Sequence, residues 1–307
     1  MTLLVVGSVA FDTIETPEDR RERILGGAAN YFSVAAAHLA PVRLVAVVGE
    51  DFPQQHLDEL ARRGIDTNRI ERVPGGKTFH WAGRYGENCN ERETLATELN
   101  VFAEFKPTLD ETYRDTRHVF LANIHPELQL SVLDQVKTPD FVAADTMNLW
   151  IDTTLPALRK VLARVHALFI NEGEALQLSG ESNLIRAGQA VARLGPKIVV
   201  LKLGAYGAIV FKDGELLFVP ALPLDRVVDP TGAGDSFAGG FMGYLSRQGR
   251  IDRATLHRAA AVGAVMGAFA CQGFGLECLL TVTPEQIEAS LAQLHRYIDF
   301  GSSAVFT

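Results

Sequence analysis

Cysteine is scarce in this chain. It occurs three times in 307 residues, as Cys89, Cys271 and Cys278. No two of these stand at metal-site or redox-motif spacing, which excludes a cysteine-built metal centre. The odd count, with no secretory start, makes a reducing cytoplasm the expected location. Long apolar runs are missing too. None reaches the roughly 20 residues of a membrane span, so no membrane partner is expected. Positive charge is in deficit, with 29 Lys and Arg against 37 Asp and Glu and a net charge of −8. Basic residues come at most in isolated pairs such as Arg20-Arg21 and Arg62-Arg63. A nucleic-acid or anionic-membrane surface needs a basic patch, so neither is expected. Low-complexity segments and internal repeats are also lacking.

What is present suits one large α/β domain over 1–307, with 47% hydrophobic and 21% charged residues. Apolar runs read as buried strands at Leu3 to Val6, Val42 to Val48, His118 to Leu121, Phe141 to Ala144, Ala167 to Ile170 and Lys197 to Leu203. Helical patterns over 28–39, 52–63, 127–136, 256–270 and 284–298 fall between or after them. This alternation predicts a mostly parallel sheet flanked by helices. From 69 to 105 the pattern changes. Strand-favouring Thr78, Phe79, Trp81, Tyr85, Thr94, Thr97, Leu99, Val101 and Phe102 are punctuated by Gly75-Gly76, Gly83, Gly86, Asn88 and Asn90. With about 9–16, this stretch is expected to form a small inserted β-sheet. Its His80, Trp81 and Arg84 are candidates for touching a substrate, although aromatics on a small sheet more often pack on one another or on a partner subunit. Gly75-Gly76-Lys77-Thr78 resembles the end of a phosphate-binding P-loop. Position 71 is Glu rather than Gly, and strand residues follow instead of a helix, so that reading is rejected.

One stretch organises the rest: Asp229-Pro230-Thr231-Gly232-Ala233-Gly234-Asp235-Ser236-Phe237-Ala238-Gly239-Gly240-Phe241. After Ala233 a helix is expected, because Phe237, Phe241 and Leu245 recur on one face. Gly232 and Gly234 stand where loop becomes helix, where the first N–H groups are free and the helix dipole favours an anion. Asp235 falls in the first turn, and the helix start is expected to keep it ionised. A carboxylate beside an anion nest has a use if a hydroxyl is held next to a phosphate and loses its proton, which is the layout of phosphoryl transfer. Taken alone, Gly-x-Gly-Asp reads equally well as a tight turn followed by a first-turn acid.

A second glycine-to-helix junction is Gly26-Gly27-Ala28-Ala29-Asn30, preceded by Asp12. Locally, a plain turn and a polar helix residue explain it as well. Asn171-Glu172-Gly173-Glu174 ends a strand and reads as a helix start with acids in its first turn. Ala144-Asp145-Thr146-Met147-Asn148 also ends a strand, at the carboxyl edge where α/β sites lie. Asp145 and Asn148 there are candidates on a par with loop caps.

The Asp229 to Phe241 string resembles the C-terminal signature of the ribokinase-like (PfkB) carbohydrate and nucleoside kinases. The resemblance runs nearly end to end. It implies a catalytic base at Asp235 and an anion hole from Gly232, Ala233 and Gly234. Asp12, Gly26, Gly27 and Asn30 match the places that hold the acceptor. Asn171 and Glu174 match the Asn-x-x-Glu pattern that organises Mg²⁺ through water near the nucleotide. Lys202, Gly204 and Gly207 match places against the nucleotide. Asp229 and Thr231 match part of a monovalent-cation (K⁺) site. The inserted sheet corresponds to a lid over the acceptor, through which a homodimer is compatible. The sequence departs from the family where Tyr31-Phe32 is bulkier than usual, and where the Arg of Asp-x-Asn-x-Arg after Asp145 is lacking. The implied function is ATP-dependent transfer of the γ-phosphate to a hydroxyl of a small sugar or sugar-like acceptor. A nucleoside kinase or a non-catalytic nucleotide sensor are the alternatives. A dinucleotide oxidoreductase is disfavoured, since position 237 is Phe where a third glycine belongs.

Overall fold

The computed structural model describes residues 1–87 and 92–299. Cys89, Asn88 and Asn90 lie outside the described residues.

The strands are β1 (Leu3–Val6), β2 (Ala10–Glu15), β3 (Arg20–Gly26), β4 (Val42–Gly49), β5 (Ile65–Val73), β6 (His80–Tyr85), β7 (Arg92–Glu98), β8 (His118–Leu121), β9 (Phe141–Asp145), β10 (Ala167–Asn171), β11 (Ile198–Lys202), β12 (Ala208–Lys212) and β13 (Glu215–Val219). Nine of them form one sheet in the order β13-β12-β11-β10-β9-β8-β1-β4-β5. All its pairs are parallel except β11 with β12 and β12 with β13. Central strands such as Leu3–Val6 are apolar at every position because both faces are covered. Alternate residues divide between the two faces. Leu3 and Val5 join the side packed by the Ala28–Ala37, Ala233–Gln248 and Arg253–Ala270 helices. Leu4 and Val6 join the side packed by Pro126–Gln135, Leu155–Leu162 and Leu184–Ala192.

On the first side the expected apolar stripe is buried: Phe237, Phe241 and Leu245 are 7%, 0% and 1% exposed. Phe241 meets Phe169 of β10 edge-on at 5.2 Å, and Phe32 stacks on Phe120 of β8 at 4.0 Å. Gly239 allows the Ala28–Ala37 helix to come close, since a Cβ there would lie 2.3 Å from the Phe32 carbonyl oxygen. The small-residue helix Arg253–Ala270 packs on Ala233–Gln248 in the same way, with Ala259, Ala260 and Ala264 buried in the core.

The second sheet has the order β3-β2-β6-β7. Its composition differs from the expected 9–16 and 69–105 in two places. Ile65–Val73 belongs to the main sheet, where Ala46 and Ile70 are partners in a parallel pair. Arg20–Gly26, whose charged residues resemble a loop, pairs antiparallel with β2. Backbone pairing decided both cases, and side-chain pattern did not report it. Val101 and Phe102, expected in strands, lie in a 3₁₀ turn (Asn100–Glu104), where Phe102 stacks between Phe79 and Phe105. After Gly75-Gly76-Lys77-Thr78 no helix follows; the Thr78 hydroxyl instead donates to Asp51 at 2.7 Å and accepts from the Gly49 N–H. Among the described residues no helix is long and apolar enough to cross a membrane.

Candidate functional site

The carboxyl ends of neighbouring parallel strands line one crest. β1 leads to Ser8, β8 to Ala122, β9 ends in Asp145, β10 in Asn171 and β11 in Lys202. Ala122, Ala29 and Gly7 meet there so closely that a Cβ at Gly7 would lie 2.6 Å from the Ala122 methyl. The Ala233–Gln248 helix points its N-terminus at this crest.

Gly232 caps that helix with φ 73°, in the left-handed region, and no side chain caps it. A Cβ at Gly232 would sit 2.3 Å from the Tyr31 ring. Glycine is therefore required twice over, by backbone angle and by the bulky Tyr31 beneath it. The Ala233 N–H already donates to the Pro230 carbonyl at 3.2 Å, whereas Gly232 and Gly234 have no such turn partner among the described residues. The amides left free at this helix start are thus those of the two glycines.

Asp235 lies in the first turn, as expected. Its environment differs from the expectation of a carboxylate held fully ionised. Burial and the nearby Asp145 charge push its pKa up to about 7, against the opposing pull of Lys202 and Arg92. At the helix start, desolvation outweighs the dipole. A carboxyl titrating near neutrality is suited to accepting a proton.

The acceptor-side candidates come together at the junction of the two sheets. Asp12, on β2, is 4% exposed. Burial, and then the charges of Asp229 and Asp235, raise its pKa to about 8. Gly26 faces it: a Cβ there would fall 1.9 Å from the Asp12 Oδ2. Gly27, at φ 95°, opens the Ala28–Ala37 helix without a side-chain cap. Asn30 is fully buried; its Nδ2 donates to the Gly26 carbonyl at 3.2 Å while its Oδ1 has no partner. Tyr31 is buried with an unpartnered hydroxyl, beside the same carboxylates.

On the nucleotide side, Asn171 and Glu174 form a reciprocal capping box. The Glu174 N–H donates to Asn171 Oδ1 at 2.8 Å, and the Asn171 N–H donates to Glu174 Oε2 at 2.9 Å. Burial and the charge of Asp145 raise the Glu174 pKa to about 7, opposed by Lys202. Among the described residues no group of three or more His, Cys, Asp or Glu could hold a metal ion. One buried carboxylate with an oxygen to spare still fits Mg²⁺, which prefers few carboxylates together with waters and phosphate oxygens. Lys202 donates to Asp145 Oδ2 at 2.8 Å. Gly204 and Gly207 bracket the turn from β11 to β12, with φ 54° and 102°. Of the pair after β9, Asp145 is buried in this ion pair and Asn148 is exposed.

Asp229 is 1% exposed and accepts from the Thr231 N–H at 2.8 Å and the Gly275 N–H at 3.2 Å. Burial raises its pKa. The Thr231 hydroxyl donates to Tyr85 of the second sheet at 3.0 Å. The three residues singled out on that sheet all have protein partners. His80 bonds Thr13 at 2.9 Å, Arg84 pairs with Glu15 at 2.8 Å, and the Trp81 ring lies over Gly83 with Arg92 5.3 Å from its centre. Sequence reading singled out Tyr31 only for its bulk and missed Tyr85 and Arg92 beside these residues. Arg92 acts on Asp12, Glu174 and Asp235 alike, lowering each pKa. No local motif marks it; only the pairing of β7 with β6, Arg92 opposite Tyr85, brings it there.

The pfkB carbohydrate kinase family model matches residues 2–280. The cytidine kinase of Thermococcus kodakarensis is 34% identical over 255 residues, covering 80% of this chain and 89% of that protein. The 2-dehydro-3-deoxygluconokinase of Thermoproteus tenax is 27% identical over 263 residues, covering 80% and 79%. Among solved structures, the aminoimidazole riboside kinase of Salmonella enterica, complexed with aminoimidazole riboside and an ATP analog, aligns with a TM-score of 0.75 at 21% identity. That alignment covers 95% of this chain and 100% of the other. The arrangement it matches is the large, mostly parallel sheet flanked by helices with a smaller separate sheet.

Proposed function

The chain belongs to the pfkB family of carbohydrate kinases, and from that premise we propose how its residues divide the transfer of the ATP γ-phosphate to a hydroxyl. It is a phosphotransferase with a hydroxyl acceptor, of the ribokinase-like group that acts on sugars and nucleosides. Asp235 is the base. Its carboxylate orients the acceptor hydroxyl and takes the proton as the bond to phosphorus forms. In a loose transition state that proton leaves late, so a weak base suffices. Gly232 and Gly234 donate to the transferring group, and Ala233 joins them if its bond to Pro230 opens. Asp12, Gly26, Gly27 and Asn30 hold the acceptor, with the unpartnered Asn30 Oδ1 as a ready hydroxyl partner.

Asn171, Glu174, Lys202, Gly204 and Gly207 line the nucleotide side. Glu174 would hold Mg²⁺ through water, and the ion would supply charge neutralisation to the phosphates. Asp229 and Thr231 form part of a monovalent-cation site. Residues 1–307 act as one kinase domain. The second sheet serves as its lid, excludes water from the transfer, and offers the exposed β7 as a surface for a homodimer.

The observation that carries this reading is the placing of Asp235 one residue beyond the Gly232-Ala233-Gly234 helix start. A plain sugar is the first acceptor reading. A nucleoside is the second, favoured by the cytidine kinase relative at 34% identity. The test is ADP release from MgATP across pentoses, hexoses, sugar acids and nucleosides including cytidine, with Asp235→Asn alongside. A hit that vanishes in the variant supports the reading and names the acceptor. Nucleotide binding without turnover on any acceptor would leave the sensor alternative standing. A chain that binds no ATP would overturn it.

A further inference from the structure

The Lys202–Asp145 pair is the closest contact between opposite charges inside the site. The side chains are 18% and 4% exposed, and Nζ lies 2.8 Å from Oδ2. Two further contacts fix Asp145. Its Oδ1 accepts from the Thr146 N–H at 2.8 Å. Its carbonyl accepts from Gln129 Nε2 at 3.0 Å, and Gln129 is itself anchored to the Ala122 carbonyl at 3.0 Å. The carboxylate therefore has little freedom, and the flexible partner is the lysine.

Lys202 ends β11, and its ammonium reaches the anion-binding helix start. A Cβ added at Gly234 would sit 3.3 Å from Nζ. An ammonium carries three donors. Asp145 takes one, and no other hydrogen bond to Nζ occurs among the described residues. Burial would discharge a lone lysine, but Asp145 and Glu174 keep this one charged. Replacing a buried ion pair by apolar groups is often neutral for stability, so stability alone does not account for such a pair here.

We propose that Asp145 is a positioning residue that holds the Lys202 ammonium beside Gly234, so that its spare donors engage the terminal phosphate of a nucleoside triphosphate. This rests on the kinase reading of the same site and adds to it a role for Asp145. It also supplies a fixed cation in a chain that lacks the Arg expected after Asp145. The transferring phosphoryl group gains charge neutralisation from the end of a main-sheet strand.

The test is equilibrium binding without acceptor, using MgAMP-PNP and, as a ligand lacking the outer phosphates, AMP, on the wild type and on Lys202→Met, Asp145→Asn and the double variant. Lys202→Met is expected to weaken MgAMP-PNP by about 10- to 100-fold, as for loss of a charged hydrogen bond, and to leave AMP unchanged. Asp145→Asn should act in the same direction. The double variant, which leaves neither member of this pair without its partner, should be no worse than Lys202→Met, because Asp145 acts through the lysine. Equal losses for both ligands, unchanged MgAMP-PNP binding, or losses that multiply in the double variant would each overturn the proposal. If the wild type binds MgAMP-PNP but phosphorylates nothing, the kinase reading fails while these binding outcomes still decide the role of Lys202. If turnover occurs and the variants match the wild type, only this inference fails.

Discussion

Asp12 is a buried carboxyl and Asp235 a half-buried one, both beside other acids, yet they lead to opposite predictions. Asp235→Asn keeps the shape and removes the base, so kcat should fall by about 10²- to 10⁴-fold with nucleotide affinity retained. With its pKa pushed up to about 7, kcat/KM should fall as the pH drops below that value, by about tenfold per unit. A profile flat from pH 8 to pH 5.5 would remove Asp235 from the role. Asp12 bears on stability as well. Its pKa rises from 3.8 to about 8 on folding, so the folded chain holds this proton more tightly than the unfolded chain does. The associated stability is fully present below about pH 4 and is lost as the pH rises through about 8. Asp12→Asn cannot ionise. Its Tm should exceed that of the wild type at pH 8, and the gap should close by pH 4, while the KM for the acceptor rises. Thermal melts at the two pH values check this; a variant less stable at pH 8 counts against it. Under the proposed role of Asp12, this cost is the counterpart of keeping a hydrogen-bonding carboxyl for the acceptor.

At the scale of the element, the Glu172–Ser179 helix carries two explanations at one terminus. Its capping box is structural, and Asn171→Ala should cost about 1 kcal/mol in chemical denaturation. Glu174→Gln separates cap from metal, because Gln at this position also closes a capping box. Its stability should stay near that of the wild type while the Mg²⁺ concentration for half-maximal activity rises about tenfold or more. An unchanged Mg²⁺ requirement would reduce Glu174 to its capping role. This helix also shows what the sequence carried and what it did not. Asn171 and Glu174 were legible because a cap and a ligand pattern share one short spacing. The Phe237, Phe241 and Leu245 stripe and the glycines at 232 and 234 were legible because each property belongs to a single element. The Lys202–Asp145 pair was not, since its members are 57 residues apart and meet only through the order β9-β10-β11. Tyr31 was read as unusual bulk, but its packing on Gly232 joins two helices far apart in the chain. Arg20–Gly26 was missed because pairing rather than side-chain alternation makes it a strand.

At the scale of the whole molecule, the second sheet is tied to the segment that precedes the Gly232 helix start. Ile14, Tyr85 and Phe274 form a buried cluster, with Ile24, Trp81 and Val228 packed around it. Arg226 pairs with Glu18, and Arg21 lies 5.2 Å over the Phe274 ring. The two halves of the proposed site share this sheet: β2 carries Asp12, and Tyr85 on the same sheet accepts from Thr231, three residues after Val228 and one before Gly232. If the second sheet is the proposed lid, displacing it breaks the Thr231–Tyr85 contact next to Gly232 as well as uncovering the proposed acceptor site. The Tyr85 hydroxyl is the polar part of this link, and burial raises its pKa to about 12, so it stays protonated at working pH. Tyr85→Phe keeps the ring in the cluster and deletes only the hydroxyl, a loss of about 1 kcal/mol from the bridged arrangement. In that variant, ADP release without acceptor should rise relative to release with acceptor, because water reaches the phosphate when the bridge is weaker. The ratio is read from paired assays at saturating MgATP with the best acceptor of the panel. A ratio equal to that of the wild type, with Tm unchanged, would mean that apolar packing alone sets the closed arrangement and that the Thr231 contact does not gate the transfer.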